Sequence, residues 1–343
     1  PIIKDKLFFA VTWERLRDTR PINVTAASLG IPAATISQVD TTLNGARYKF
    51  DPLEDPQGVP EKDDKVVAKL DWNIADGHRA AITYIYNKGD IAAGATPDDQ
   101  ASATNPTLRL LSNLYSQGSI NHFGVFQLND QWSDSFSTQL RVSYQDYVRL
   151  QEPYNGRSFG QFTVCLAPNA TTGTGSPICP AGTRQLRLGP DGPRHANELS
   201  SSAINVEFQA QLKLNNHSLK FIAERRDQDV NNLFGNNVSG SFRFDSIADL
   251  DAGRANQLSL NVPVLGGVDT IRALFNNTTW TFGLQDTWDA TSDLSLTAGV
   301  RYDVFETGDA PLFNQAFFNR YGFANNATLN KRHLLQPRLG MNW

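Results

Sequence analysis

Hydrophobic and polar residues alternate one by one over several long stretches of this chain. The clearest is residues 280–305, which run WTFGLQDTW, then DATSD, then LSLTAGVRYDVF. Leu294, Leu296, Ala298, Val300, Tyr302 and Val304 share one side, and Ser295, Thr297, Gly299, Arg301 and Asp303 share the other. Trp280, Phe282, Leu284 and Trp288 stand in the same way against Thr281, Gly283, Gln285 and Thr287. A period of two is the side-chain period of a strand with one apolar and one polar face. The Asp, Thr and Ser between the two arms are turn formers, so the stretch predicts a β-hairpin. Its arms of about a dozen residues exceed the usual strand of about 5–6 and match a tilted membrane-crossing strand of about 9–11.

The same pattern recurs along the chain. Residues 6–15, KLFFAVTWER, predict a strand with no obvious partner, and Ala26 to Phe50 carries helical spacing at Leu29, Ile36, Val39, Leu43 and Ala46, enough for one or two short helices. Residues 64–88 predict a hairpin turning at Asp76-Gly77. A third hairpin spans about 119–149, a fourth about 200–228 around Asn215-Asn216-His217, and a last strand starts at His333. Residues 126–132 repeat the F-x-L-x-D-x-W pattern of residues 282–288, which predicts one structural job done twice, with Asp130 and Asp286 on the nominally apolar face close to a turn.

These elements obey a rule. Connections at 75–78, 133–135, 215–217 and 289–293 are short, whereas those at about 17–63, 89–118, 150–199, 229–277 and 306–331 are long and read as irregular. Compact domains rarely hold several structureless loops above about 15 residues, but outer-membrane barrels combine short turns at one end with long loops at the other. Trp72, Trp132 and Trp288 precede short turns, and Tyr84, Tyr144 and Tyr302 lie up the following arms. At about 3.3 Å per residue and a tilt near 40°, the two sets are expected roughly 20–27 Å apart, as two interfacial aromatic girdles. The predicted fold class is therefore all-β, an antiparallel up-and-down transmembrane β-barrel of about ten strands with long outer loops.

Composition narrows the field. The net charge of -4 over 343 residues gives no reason to expect a nucleic-acid partner. Mean hydropathy is -0.38, and no run approaches the 18 or so apolar residues of a membrane helix, which a barrel does not need. The chain opens mid-pattern at Pro1-Ile2-Ile3, so a fragment of a longer protein is expected.

The ordered set PIIKDKLFFAVTWE (1–14), KLDWNIADGHRAAITY (69–84), GPDGPRHANEL (189–199), TFGLQDTWDATSDLSLTAGVRYD (281–303) and LLQPRLGMNW (334–343) resembles the barrel of TonB-dependent outer-membrane receptors of the large-looped, Oar-like type. The likeness covers essentially the whole chain, with the loops contributing little. It implies a location in the bacterial outer membrane, a barrel of 22 strands, an N-terminal plug domain and a periplasmic segment that engages the TonB complex. It also implies active import of a scarce substrate captured by the outer loops, without catalysis. Only about ten strands are present, so plug, TonB box and closing strands are expected elsewhere.

Candidate chemistry is sparse. Cys165 and Cys179 are either two free thiols or, as expected in a loop of an exported protein, a disulfide bracing that loop. His195 beside Arg194 reads as a solvated loop histidine, and the five histidines lack metal spacing. Asp227, Asp229, Asn231 and Asn232 lack the glycine and final Glu of an EF-hand. Phe313, Phe317, Phe318 and Tyr321 in the last long loop either grip a ligand or pack the loop. No cofactor or catalytic fingerprint appears, and five scattered His with the single Met341 suit haem poorly. Three function classes follow: an active-transport receptor for a small molecule, oligosaccharide or peptide; a non-transporting adhesin or structural barrel; and a secreted all-β enzyme or binding module. The last would need short loops on both sides and an acid pair or metal cluster.

Overall fold

A computed structural model describes residues 1–22, 24–94, 106–166, 182–264 and 266–343. In chain order the elements are β1 (Leu7–Pro21), α1 (Ala26–Leu29), α2 (Ala33–Asn44), β2 (Gly58–Ala75), β3 (His78–Ala93), β4 (Thr107–Arg109), β5 (Tyr115–Gln131), β6 (Phe136–Pro153), β7 (Gln161–Cys165), β8 (Gln185–Leu188), β9 (Ala196–Leu214), β10 (His217–Gly235), β11 (Ser241–Phe244), α3 (Ile247–Ala252), β12 (Gln257–Ser259), β13 (Ala273–Thr291), β14 (Leu294–Glu306), α4 (Gln315–Tyr321) and β15 (Arg332–Asn342).

Ten long strands form one up-and-down antiparallel sheet in the order β1-β2-β3-β5-β6-β9-β10-β13-β14-β15, open at β1 and β15. Each of the four expected hairpins is present and turns where the Asp, Asn, Gly and Ser clusters stand; Gly77 and Asn215 take the positive φ that such tight turns require. The strand at residues 6–15 does have a partner. It pairs with β2 from Leu7↔Trp72 to Pro21↔Gly58, across a connection that holds α1 and α2.

Register puts the apolar residues of all ten strands on one face. The row Trp72–Ala80–Leu128–Leu140–Phe208–Ala223–Phe282–Tyr302–Leu335 runs unbroken from β2 to β15. Its aromatic members are exposed, Trp72 at 49% and Phe282 at 43%, so this face has no protein against it. The row also measures the tilt. Trp72 and Trp288 stand equally far before their turns, yet Trp72 shares a row with Phe282, six residues from Trp288. Six residues at about 3.3 Å against six strand spacings of about 4.8 Å give a tilt near 35°, within the range of membrane barrels.

Register also corrects the girdle spacing. Tyr84 lies opposite Ala68, Tyr302 opposite Phe282 and Tyr144 opposite Gly124. They stand four, six and eight residues above Trp72, Trp288 and Trp132, or roughly 10, 16 and 21 Å along the normal. Only Tyr144 reaches the expected separation. A hairpin folds back, so height is counted from the shared turn rather than along the sequence.

The long connections are shorter and more ordered than expected. Strands continue well past the alternating region, β3 to Ala93, β6 to Pro153 and β10 to Gly235. Above the apolar band both faces meet water, so alternation ceases while pairing does not. The connections then build a second sheet, β12-β11-β7-β8-β4, drawn from three of them.

A charge on the exposed apolar face should be costly and one on the opposite face should not. Leu284→Arg is expected to lose about 2–4 kcal/mol and Gln285→Arg under about 1 kcal/mol, read by denaturant titration of vesicle-inserted protein. Equal losses at both positions would contradict the assigned faces.

Candidate functional site

The protein's hydrophobic core lies at the long-connection end. Ile31, Val39, Leu43 and Phe50 come from the first connection, Leu108 and Leu110 from the second, Phe162, Val164, Leu186 and Leu188 from the third, and Phe244 and Leu250 from the fourth. All are buried, most of them completely. Phe162 sits at the centre, with ring contacts to Tyr48 at 5.4 Å, Phe242 at 5.2 Å and Phe244 at 5.1 Å, while Phe50 stacks on Phe159 at 3.9 Å. Tyr48 donates its hydroxyl to the Leu250 carbonyl at 2.6 Å, and burial raises its pKa. Within the second sheet β4 runs parallel to β8 and β11 parallel to β7, so each of these pairings joins two different connections. Four connections thus fold as one cap.

The GPDGPRHANEL segment ties this cap to the sheet. Asp191 accepts from Arg194 at 2.8 and 2.9 Å, and the same guanidinium reaches Gln151 of β6 at 3.1 Å and lies 3.9 Å over the Tyr115 ring of β5. Gly189 has φ +71°, and a Cβ there would stand 2.1 Å from the Gly160 carbonyl oxygen, so only glycine fits. Its neighbours are fixed by Ser112, Asn113 and Gln161: Gly189 N–H donates to Ser112 Oγ at 3.0 Å, Asn113 Nδ2 donates to the Gly189 carbonyl at 2.7 Å, and Gly192 N–H donates to Gln161 Oε1 at 3.0 Å. Sequence reading gave none of these three a role, because each acts on a backbone far away in the chain.

His195 departs from the solvated loop histidine expected. It is buried, its Nε2 donates to the Pro190 carbonyl at 3.0 Å, and its Nδ1 accepts from the Ser239 N–H at 3.2 Å. Burial lowers its pKa, which favours the neutral tautomer this pair of bonds needs.

The polar face of the long sheet lies below. Asp303 is buried there, accepting from Thr281 Oγ1 at 2.6 Å, Arg301 Nε at 3.0 Å and Gln336 Nε2 at 2.6 Å. Asn129 accepts from Gln127 at 3.2 Å and Gln139 at 2.8 Å. Two hollows open on this face, about 520 Å³ beside Lys220, Arg301, Gln336 and Arg338, and about 290 Å³ beside Lys69, Arg79, Gln127 and Asn129. The smaller is mainly polar, whereas the larger sets Lys220, Arg301 and Arg338 among apolar Ile222, Val300 and Pro337.

The remaining candidates separate. Trp72, Trp132, Trp288, Tyr84, Tyr144 and Tyr302 are all well exposed on the apolar face. Phe313, Phe317, Phe318 and Tyr321 cluster around α4, with Phe317 4.8 Å from Tyr321 and 5.3 Å from Phe323, and their ring contacts are to one another. Asp227, Asp229 and Asn231 are occupied by Thr278, Asn276 and Arg272 rather than converging on a cation site. Cys165 is fully buried at the end of β7 and is not a free thiol, while Cys179 lies outside the described residues.

The His195 bonds carry a pH dependence. Its lowered folded pKa means that stability is full above the unfolded value of about 6.5 and falls as pH drops through the window below it. Protection of the Ser239 amide from hydrogen exchange is expected to decline on that descent. His195→Leu should lose about 1–2 kcal/mol at neutral pH and flatten the decline. A decline of equal size in the variant would exclude His195 as its origin.

Comparison with known proteins agrees with this architecture. Residues 30–343 match the family model described as outer membrane beta barrel domain. The outer membrane transporter YddB from Escherichia coli superposes with a TM-score of 0.52 at 14% identity, over 99% of this chain and 34% of that one. The ferric-catecholate import receptor Fiu from E. coli K12, in its closed form, gives 0.47 at 11% identity over 99% and 44%. The chain therefore spans about a third of the length of YddB. No curated protein matches by sequence. With the family model covering nearly all of the chain and the exposed apolar face accounted for by lipid, this chain belongs to the outer membrane β-barrel family and its strands cross the bacterial outer membrane.

Proposed function

We propose that this chain is part of the barrel of a TonB-dependent active-transport receptor, which captures a scarce substrate with its outer cap and imports it to the periplasm. The observation that carries this reading is the hydrophobic core shared by four long connections above a polar inner face. A merely structural barrel has no need to fold its loops into one cored body over its mouth. A capture surface does, because a preorganised site loses less entropy on binding.

In this reading the inner-face Gln, Asn, Lys and Arg residues guide a polar solute downward. The plug, the segment that contacts the TonB complex and the further strands that complete the wall belong to other parts of the whole protein. Trp72, Trp132 and Trp288 mark the periplasmic interface and Tyr144 the outer one, with Tyr84 and Tyr302 inside the band. Phe313, Phe317, Phe318 and Tyr321 form a self-packed aromatic platform at the outer rim that is free to take part in capture. Nothing in this reading is enzymatic.

Cells with and without the gene, offered a panel of scarce nutrients, test the proposal. Loss of uptake of one nutrient class, with an uncoupler abolishing uptake but sparing surface binding, is the expected result. Unchanged uptake together with lost surface adhesion would move the protein to a non-transporting adhesin.

We also propose that Cys165 pairs with Cys179. Closing a loop of about 15 residues is worth about 3 kcal/mol, so reduction should loosen the cap by about that amount while the membrane strands stay folded. Peptide mass mapping without reductant should recover the two cysteines linked; two separate alkylated thiols would refute the pairing.

A further inference from the structure

Two carboxylates on the lipid face are handled in the same way. Asp130 on β5 meets His78, the first residue of β3, at 2.7 Å from Nδ1, and the His78 ring stands edge-on to Trp132 at 5.0 Å. Asp286 on β13 meets His217, the first residue of β10, at 2.6 Å from Nδ1, and the His217 ring stacks on Trp288 at 5.7 Å and 4°. In each case a short turn is followed at once by histidine, and the next strand supplies Asp and Trp two residues apart. The repeated F-x-L-x-D-x-W pattern is half of this arrangement; the histidine is the other half.

The third tryptophan at this end provides a contrast. Trp72 has Leu70 at the aspartate position, and Leu70 faces Phe9. Near the short turns, charge therefore appears on this face where a histidine answers it.

Each station keeps unused bonding capacity in the head-group layer. Among the described residues, the Nε2 atoms of His78 and His217 and Asp130 Oδ2 have no hydrogen-bond partner. Asp286 Oδ1 is shielded from water without a hydrogen-bond partner, which is a costly state for a carboxylate oxygen. Beside Asp286 lies a groove of about 540 Å³ on the lipid face, lined by Trp288, Leu296, Ala298, Leu339 and Met341. That is an apolar channel ending at a carboxylate, an imidazole and an indole.

We infer that the two His–Asp–Trp stations are docking sites for phospholipids whose head group carries a primary ammonium and a phosphate. The ammonium donates to Asp130 Oδ2 and to the second lone pair of Asp286 Oδ2, the phosphate accepts from Nε2–H of His78 and His217 in their protonated form, and the acyl chains lie on the apolar face. A quaternary ammonium has no N–H to donate and satisfies neither aspartate. The inference needs only the membrane position of the strands, so it stands apart from the transport proposal.

The test uses the full-length protein extracted from outer membranes, stripped of lipid in mild detergent and offered ethanolamine, choline and glycerol phospholipids with identical chains. Native mass spectrometry counts the lipids retained. Ethanolamine lipid should bind at two sites with about tenfold preference over choline lipid, the worth of one charge-assisted hydrogen bond. Asp130→Asn and Asp286→Asn should each remove one retained lipid, with folding checked by heat-modifiable gel migration, and His78→Gln and His217→Gln should do the same. Equal retention of all three lipids by the unaltered protein would overturn the inference without recourse to any variant. So would Asn variants that fold and keep the preference, since the pairs would then be clamps between strands only.

Discussion

Backbone amides inside a membrane have no water to bond with, so each must find its partner within the protein. The long antiparallel ladder meets that constraint strand by strand, and the other features follow from it. Long strands are required because the ladder has to span the hydrocarbon. Tilt near 35° follows from the stagger of the rows. Short connections at one end keep neighbours adjacent, which leaves the other end to carry the long excursions.

That arrangement turns the usual distribution of apolar residues inside out. Within the membrane band the sheet's Trp, Phe, Leu and Val side chains face lipid, so they give that band no core of its own. The buried core instead lies beyond the membrane, where four excursions meet over Phe162. Two different solvents thus stabilise two parts of one chain. Lipid and ladder hold the wall, and water exclusion holds the cap. The cap is joined to the wall by a small apolar cluster of Ile22, Val59, Ala92 and Leu114 and by polar ties, through Arg194, Gln151 and Asp191 and through Arg157 between Glu152 and Glu198. Polar ties of this kind fix direction and leave the two bodies chemically distinct.

Histidine illustrates how the same residue serves both regions. His78, His122, His217 and His333 all sit on the lipid face against an aromatic ring, two with tryptophan near the short turns and two with tyrosine higher up. Amphipathic rings suit the interface, where one edge is dry and the other wet. His195 is buried in the cap instead and pins two connections through their backbones.

Much of the wall was legible in the sequence because its determinants are local. Period-two alternation fixes which side chains share a face, and Asp76-Gly77 or Asn215-Asn216 fixes where the chain turns back. The contrast of short and long connections fixes that this is a membrane barrel rather than a sandwich. What lay beyond reach depended on partners distant in sequence. The cap strands are three to five residues long, too short to show a period, and β4 and β11 find parallel partners only when separate connections converge. Ser112, Asn113 and Gln161 matter only to backbones they meet in space. The repeated aspartates could be seen, but not the histidines that answer them from the neighbouring strand. Local pattern is set by the chain's own geometry; the cap, the girdle heights and the paired charges are set by register and convergence, which exist only once the strands have come together.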